Sequence, residues 1–361
     1  MPEFVAGLPK AELHLHIEGS LTPARAYAIA KRNGLDLDAF DPEKGAAARR
    51  EFTSLVPFLI EYGKCSGVMR KEADFYDMMY DYLERAAENG VVHAEIFFDP
   101  QTHCYTDILE FKTVITGLTK ALEEGRKTLG VDGKLILCFL RDRSVEEALQ
   151  VLEDARPYME VKSPVYTPDL LGVGMDNAEL GFRPGRFKPA YDKARHAREA
   201  GLHCVAHAGE EGDASYITEA LDDLKIERVD HGVRCLEDPA VVERLVKAQT
   251  PLTVCPCSNH RLQVYPRFFC GENAVRQLLS RGVKVTVNSD DPAYFFMGNV
   301  SAAGRACDAS AYDGFLASNY VRTLALNSFD ASFISEDDKK AHKAKVAEYC
   351  KGWRPACPPA A

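Results

Sequence analysis

No apolar run in the 361-residue sequence approaches the roughly 18–20 residues that a transmembrane helix requires. The first residues also lack a basic region followed by an apolar core, so no secretory signal peptide is expected. Excess positive charge is missing too: the formal net charge is −10. Only a local basic groove could therefore attract nucleic acid or anionic lipid. We expect a cytoplasmic protein with neither nucleic-acid nor membrane partners.

Linkers and repeats are likewise missing. No Gly/Ser-rich linker, low-complexity tract or internal repeat divides the chain, so we predict one domain over residues 1–345. A Pro/Ala-rich tail at 346–361 is expected to be frayed. The 11 cysteines are scattered, and several, such as Cys138 and Cys204, stand in apolar runs. An odd number without secretory context indicates reduced thiols. The sequence leaves the oligomeric state open.

What is present is a repeated alternation of short apolar runs and longer segments of helical pattern. Such alternation predicts parallel strands joined by crossover helices, and eight units predict a closed (β/α)8 barrel, the TIM barrel. The eight predicted strands are residues 11–17, 93–99, 134–140, 169–176, 202–209, 228–232, 251–256 and 283–289.

One segment departs from this rhythm. Residues from about 22 to 90 separate the first two predicted strands and look helical throughout, which is far longer than an ordinary βα connection. We therefore predict a helical insertion at the barrel mouth. Phe52, Leu55, Leu59 and Tyr62 recur at helical spacing, which favours core packing over the lining of a pocket.

Polar residues of interest stand at the carboxyl ends of the predicted strands, where barrel enzymes carry their catalytic groups. The first strand ends in "HLHIEG", so that alternation directs His14 and His16 to the same side. Other strands are followed by comparable groups: His207 with Glu210, then His231, then Asp290 with Asp291.

Three imidazoles and one carboxylate at these strand ends form a plausible ligand set for Zn²⁺ with a position left for water. Each piece alone has an ordinary explanation. His207 could be a hydrogen-bonded histidine at the end of a strand, and Asp290–Asp291 before a proline could cap a turn. Their joint occurrence at three separate barrel positions favours a metal centre.

Four segments of this sequence, "LPKAELHLHIEGSL", "HAGEEG", "ERVDHGVR" and "VTVNSDDP", resemble the signature segments of the adenosine/adenine deaminase family of the amidohydrolase superfamily. Their order matches, and the resemblance covers nearly the whole chain except the tail. It implies a (β/α)8 barrel, one catalytic Zn²⁺ per chain, and a small-molecule purine substrate. The implied reaction is hydrolytic removal of the exocyclic amine from a 6-aminopurine.

The resemblance also implies roles for individual residues. Glu210 would protonate purine N1, which requires a carboxyl group whose pKa burial has raised. His231 and Asp291 would orient the attacking water and help to deprotonate it. The backbone N–H of Gly174 would face purine N3, and Asp291 would also meet N7. The metal ligands would be His14, His16, His207 and Asp290.

The substrate is less sharply defined. Adenosine deaminases typically carry aspartate where this chain has Glu18, and the segments "EIFFDPQTH" and "MDNAE" also resemble the adenine deaminase branch. We expect Glu18 to reach into space that a ribose would occupy, although it could be a tolerated variant or a helix cap. Adenine ranks first as substrate, adenosine second and N6-methylated AMP third. The role of His103 stays open, because its continuation departs from the branch pattern.

Three other interpretations are weaker. A cytidine-type zinc deaminase needs H-x-E and P-C-x-x-C, but the position three after Cys257 is His260. A binuclear amidohydrolase would show a lysine at the end of strand four, and "GVGMDNAE" has none. A catalytically inactive barrel that binds purine or metal would be expected to have lost a ligand or Glu210, and all are present.

Overall fold

Eight parallel strands follow one another in chain order around a barrel. The computed structural model describes residues 2–49, 52, 54–106, 109–197, 201–270, 273–295 and 320–352. The strand order confirms the predicted (β/α)8 architecture. The strands are β1 Lys10–Glu12, β2 Val91–Phe98, β3 Asp132–Leu140, β4 Leu170–Asp176, β5 His203–Ala208, β6 Arg228–His231, β7 Leu252–Val254 and β8 Val285–Val287.

The α-helices of the described ranges are α1 Pro2–Gly7, α2 Pro23–Arg32, α3 Pro42–Ala48, α4 Leu55–Ser66, α5 Glu72–Glu88, α6 Phe111–Thr128, α7 Val145–Met159, α8 Lys188–Arg195, α9 Ala214–Glu219, α10 Pro239–Ala248, α11 Pro256–Arg261, α12 Val264–Phe268, α13 Ala274–Ser280, α14 Pro292–Phe295, α15 Tyr320–Asp330 and α16 Glu336–Gly352. Shorter 3-10 and π segments are Glu18–Ser20, Asp38–Phe40, Thr102–Thr106, Pro184–Phe187, Ala220–Leu224 and Val233–Glu237. None of these helices is long and apolar enough to cross a membrane.

The first and last strands are shorter than predicted, and the barrel closes beyond their regular ends. β1 ends at Glu12, and Leu15 forms an isolated bridge with Asp290. The backbone N–H of His16 donates to the Asp290 carbonyl at 3.0 Å, and the Asp290 N–H donates to the His14 carbonyl at 3.1 Å. The predicted strand at 11–17 therefore pairs only in part, but its final residues still lie against the end of β8.

Side chains on the strands alternate between the two faces of the barrel wall. Ile96, Phe98 and Leu137 belong to the large core between strands and helices. The intervening positions form a separate apolar cluster inside the barrel: Phe97, Ile136, Cys138 and Val205. Two residues beyond the inward positions 97, 174 and 205 come Asp99, Asp176 and His207. The alternation thus brings these three polar side chains to the upper end of the barrel interior.

The predicted helical insertion contains α2 to α5. Helix α5 is an ordinary barrel helix, since its buried Phe75 and Met79 belong to the main core. The additional material is therefore α2 to α4. On α4, Leu55 and Tyr62 pack in an aromatic cluster with Phe52 and also line the large cavity described below. The sequence offered core packing and pocket lining as alternatives for these residues, and in the structure Leu55 and Tyr62 do both.

The carboxyl-terminal helices close the amino-terminal side of the barrel. Val346 on α16 is buried in a cluster with Leu8, Leu13 and Phe329. Residues 346–352, assigned by the sequence to the C-terminal tail, continue α16, on which Val346 is buried. The rest of the predicted tail, 353–361, lies outside the described residues.

Free thiols are present at Cys65, Cys104, Cys138, Cys204, Cys235, Cys255, Cys270 and Cys350.

A buried ion pair fills the lower part of the barrel. Arg228 and Glu95 are both 0% exposed and hydrogen-bonded to each other. The Arg228 guanidinium also donates to the Leu13 carbonyl at 3.2 Å, and the Phe333 N–H donates to Glu95 at 2.6 Å. Burial opposes ionisation of Glu95, but Arg228 and His93 outweigh it and lower the pKa of this carboxyl to about 2. Both charges are therefore present and depend on each other.

Glu95→Gln is expected to reduce the free energy of unfolding by about 3–5 kcal/mol, because it leaves the Arg228 charge buried without its partner. Urea unfolding of the variant and the parent protein measures the change. The matched control is Glu72→Gln, which removes an exposed ion pair with Lys120 and should cost less than about 1 kcal/mol. Equal stability losses in the two variants would contradict the prediction.

Candidate active site

The four predicted metal ligands converge at the carboxyl end of the barrel. One potential ligand atom from each of them lies within 4.8 Å of the others. His14 Nε2 is 3.2 Å from Asp290 Oδ1, and His16 Nε2 is 3.5 Å from the same oxygen. His16 Nε2 and His207 Nε2 are 3.1 Å apart. Ligands about 2.0–2.2 Å from a tetrahedral metal lie about 3.3–3.6 Å from one another, so these separations suit a single ion.

The donor set is also chemically suited to a cation. His14 Nε2 is buried and has no hydrogen-bond partner within the described structure. Burial and the neighbouring histidines lower the pKa of His207 well below its usual value, which favours the neutral imidazole that binds metals. A second combination, His14, His231, Cys255 and Asp290, is equally compact. Burial raises the pKa of Cys255, however, so that its sulfur stays a thiol and is a poor ligand.

The second ring nitrogen of each ligand histidine faces an oxygen. His14 Nδ1 is 3.0 Å from Thr253 Oγ1, whose hydroxyl donates to Asp230 at 2.7 Å. His16 Nδ1 lies 3.3 Å from Asp176, and His207 Nδ1 lies 3.7 Å from Asp230. Such outer partners fix the orientation of ligand histidines and direct the other nitrogen towards the metal. Here the partners are contributed by β4, β6 and β7.

Glu210 and His231 stand beside the metal-ligand cluster. Glu210 is 4% exposed, and its carboxyl lies 3.6 Å from His231 Nε2. Burial and the nearby Asp290 raise the pKa of Glu210 well above its usual value, which favours the protonated carboxyl group. Burial and His14 lower the pKa of His231 to about 3, which leaves this imidazole neutral. The pair thus offers a proton donor and a neutral imidazole.

Asp290 and Asp291 require an unusual local backbone. Asp290 has φ 62° and His231 has φ 60°, both in the left-handed region that non-glycine residues rarely adopt. Backbone strain of this kind is concentrated at functional sites. Gly19 makes room for the second aspartate, since a Cβ there would lie 1.9 Å from Asp291 Oδ1. The glycine of "HIEGS" therefore permits the carboxylate of β8 to approach the first strand.

A single buried carboxylate organises the loop that carries Glu210. Glu179 accepts four consecutive backbone N–H groups, from residues 209 to 212, at 2.7–3.0 Å. Arg141 lies 3.9 Å from Glu179 and donates to the His207 carbonyl at 2.7 Å. This arrangement fixes the main chain on both sides of the bend after β5, and with it the positions of His207 and Glu210.

These groups open into one cavity of about 450 Å³. Helix α4 supplies much of its apolar wall, including Leu55, Phe58, Leu59 and Tyr62. The other polar residues that line it are His16, Asp99, Thr102, Asp142, Arg143, Asp176, Asn177, His207, Glu210, His231, Asp290 and Asp291. A mostly apolar pocket with convergent polar groups and perturbed pKa values is the usual form of a small-molecule site.

The structure places two predicted substrate contacts away from this cavity. Gly174 lies within β4, and a Cβ there would be 2.7 Å from Cys138 Sγ in the barrel interior. Gly174 precedes the strand end by two residues and is not among the described lining residues, so the contact of its N–H with purine N3 stays a prediction. Glu18 is 1% exposed and is not among the described lining residues either. Its direct contact with substrate likewise stays a prediction.

Glu18 instead lies behind the cavity wall, where its carboxylate faces two ring or backbone nitrogens. It accepts the Asp99 backbone N–H at 3.2 Å and lies 3.1 Å from the His103 ring nitrogen. The Tyr62 hydroxyl, whose proton is directed to Asp99, is 3.4 Å away. His103, whose role the sequence left open, is thus a buried partner of Glu18. The predictions missed Asp99, Asp176 and Glu179, although the first two are acidic residues at strand ends, the same signal that identified Asp290.

The chain is similar to known proteins over nearly its whole length. A family model described as adenosine deaminase matches residues 9–349. The adenine deaminase of Hahella chejuensis is 45% identical over 352 residues, which cover 97% of this chain and 99% of that protein.

Solved structures share the fold of this chain. The crystal structure of adenine deaminase from Arthrobacter aurescens has a TM-score of 0.84 and 42% identity, and the match covers 96% of this chain and 100% of that one. An amidohydrolase from Burkholderia ambifaria with bound Zn has a TM-score of 0.83 at 23% identity, covering 97% of this chain and 93% of that one. At 23% identity, the similarity to the Burkholderia protein shows a shared fold alone.

Proposed function

This chain belongs to the adenosine deaminase family, and we propose that within it the substrate is adenine, which is hydrolysed to hypoxanthine and ammonia. The observation that carries the proposal is the convergence of four potential metal ligands with Glu210, His231 and Asp291 around one end of a single cavity. Identity of 45% to an adenine deaminase over nearly the full length supports adenine as the substrate.

We propose one Zn²⁺ per chain as the cofactor, held by His14, His16, His207 and Asp290. The separations between these donor atoms and the unpartnered His14 Nε2 support this assignment. When bound, Zn²⁺ supplies the positive charge that makes water a nucleophile near neutral pH.

The remaining residues move protons and hold the reactants. His231 and Asp291 orient the water and take up its proton as its oxygen adds to C6 of the purine. Glu210 donates a proton to ring N1 as C6 becomes tetrahedral, and its raised pKa supplies the proton in the ground state. Ammonia then leaves C6, and hypoxanthine is formed. The arrangement of Glu179 around the 209–212 backbone supports this role by keeping Glu210 at a fixed distance from His231.

The charge of the cavity bears on the alternative substrates. Arg143 is the only lysine or arginine among the described lining residues, and six carboxyl groups line the same walls: Asp99, Asp142, Asp176, Glu210, Asp290 and Asp291. A nucleotide phosphate would find only this one cationic side chain to pair with among the described lining residues. This electrostatic environment supports an uncharged purine over N6-methylated AMP. Adenosine remains the second candidate, since a ribose carries no charge.

The assignment predicts that kcat/KM for adenine exceeds that for adenosine by about 10³-fold or more, because a pocket built around one ligand rejects an analogue that leaves buried groups unpaired. Release of ammonia from each substrate, with hypoxanthine formed from adenine and inosine from adenosine, measures both values on the same zinc-loaded preparation. A parallel preparation of Glu210→Gln controls for a contaminating deaminase. Adenosine turnover equal to or better than that of adenine would refute the free-base assignment.

A further inference from the structure

Asp99 has a buried oxygen that faces the cavity without a donor. Its side chain lines the cavity, the residue is 3% exposed, and Oδ1 receives no N–H or O–H hydrogen bond within the described structure. The neighbouring Asp176 also lines the cavity, and both of its carboxyl oxygens lack a hydrogen-bond partner within the described structure as well. A buried polar atom without a partner is costly, and its retention points to a ligand atom that completes it.

The rest of Asp99 is held firmly. The Tyr62 hydroxyl donates to Oδ2 at 3.0 Å, and the Asp99 backbone N–H donates to Glu18 at 3.2 Å. Glu18 is fixed in turn by His103 at 3.1 Å. Because Oδ2 and the main chain are both engaged, Oδ1 is the part of the carboxyl group left for the cavity. Such a supporting set of contacts is typical of a group that must be pre-positioned for a ligand.

The order of the strands around the barrel indicates which edge of the purine meets Asp99. Glu210 follows β5 and is assigned to N1, whereas Asp291 follows β8 and is assigned to N7. The barrel order from β5 back to β8 runs through β4, β3, β2 and β1. It passes Asp176 at the end of β4 and then Asp99 after β2. Around a purine ring, the atoms met between N1 and N7 on the side away from C6 are N3 and then N9. A ring lying across the strand ends thus brings N9 to Asp99.

We propose that Asp99 Oδ1 accepts the N9–H of the free base and thereby excludes substrates substituted at N9. The inference rests on the proposed function, and it names the group that selects the base. Free adenine carries a hydrogen at N9, and a nucleoside carries its sugar there. A carboxyl group accepts such a hydrogen bond whether it is ionised or neutral. Glu18, His103 and Tyr62 then act as positioning residues for Asp99.

The experiment compares kcat/KM for adenine with kcat/KM for its isostere in which sulfur replaces the N9–H group. This isostere has nearly the same shape but lacks the donor. In the zinc-loaded parent enzyme the ratio is expected to reach about 10³ or more in favour of adenine. In Asp99→Asn, whose amide can turn its NH₂ towards the ligand, the ratio should fall below about 10. Asp142→Asn, an exposed aspartate on the cavity rim, is the matched control and should keep the parent ratio.

A second variant covers the case in which Asp99→Asn does not fold. Tyr62→Phe removes only the hydroxyl that orients Asp99, and it should reduce the ratio about tenfold. A parent ratio near 1, or an unchanged ratio in Asp99→Asn or in Tyr62→Phe, would overturn the assignment of Asp99. Failure of the parent enzyme to release ammonia from adenine would instead refute the proposed function, so the two failures are distinguishable.

Discussion

Glu210→Gln is expected to lower kcat on adenine by about 10²–10⁴-fold, which corresponds to about 3–5 kcal/mol of transition-state stabilisation. Glutamine keeps the size and hydrogen-bonding capacity of the side chain but cannot release a proton to N1. The metal content of the variant should stay equal to that of the parent, because Glu210 is not among the four converging ligand candidates. Steady-state kinetics with metal analysis of the same sample measures both quantities.

The pH dependence adds an independent test of Glu210. Burial and Asp290 raise its pKa, so the protonated form is fully present below that value and is lost as the pH rises through it. The parent enzyme should therefore show kcat falling on the alkaline side, and Glu210→Gln should lack that descending limb. Glu211→Gln changes the adjacent residue, whose carboxylate faces Arg267 at 3.5 Å, and should retain activity within a few-fold. Near-parent activity in Glu210→Gln would remove this residue as the proton donor.

His207→Ala is expected to lose bound metal and at least about 10³-fold in kcat, because it removes one of the nitrogens that hold the ion and the water nucleophile depends on that ion. Metal retention is measured directly by elemental analysis after dialysis against metal-free buffer, without recourse to activity, and a chelator is applied only to the parent protein in a separate experiment. Treatment of the parent protein with the same chelator should abolish turnover, and added Zn²⁺ should restore it.

The control for this variant lies on the same strand. His203 is also part of β5, but its ring stacks on Phe333 and pairs with Glu227 outside the cavity. His203→Ala should therefore keep its metal and its activity, whereas a general weakening of β5 would affect both variants alike. Full metal occupancy in His207→Ala would contradict the ligand assignment. Stoichiometry well above one ion per chain in the parent would contradict a mononuclear site.

Much of the architecture could be read from local patterns. Alternating apolar runs and helical segments predicted the barrel because strand and helix periodicity depend on nearby residues. The strand ends then followed, since every parallel strand of a barrel delivers its last residues to the same face. For this reason the sequence predicted that His14, His207 and Asp290 lie together, although they are far apart along the chain. The boundaries were less certain, and β1 proved to be three residues long.

Contacts that depend on the direction of individual side chains could not be read in this way. Glu179 gave no signal of its own, because its four N–H partners lie about 30 residues downstream and belong to the backbone. Glu18 was expected to reach into the cavity, but His103 and the Asp99 N–H hold its carboxylate behind the wall. Gly174 lies within β4, where a Cβ would meet Cys138 in the packed interior, and nothing in the sequence indicated this close approach.

The sequence by itself determined the barrel, the face of the barrel that carries chemistry, and the residue types gathered there. Only the tertiary structure decided which carboxylates line the cavity and which serve as supports behind it. The physical reason is that periodicity specifies the side of a strand on which a residue lies. The depth and orientation of its side chain depend on neighbouring strands, whose packing and hydrogen bonds are set across the whole chain.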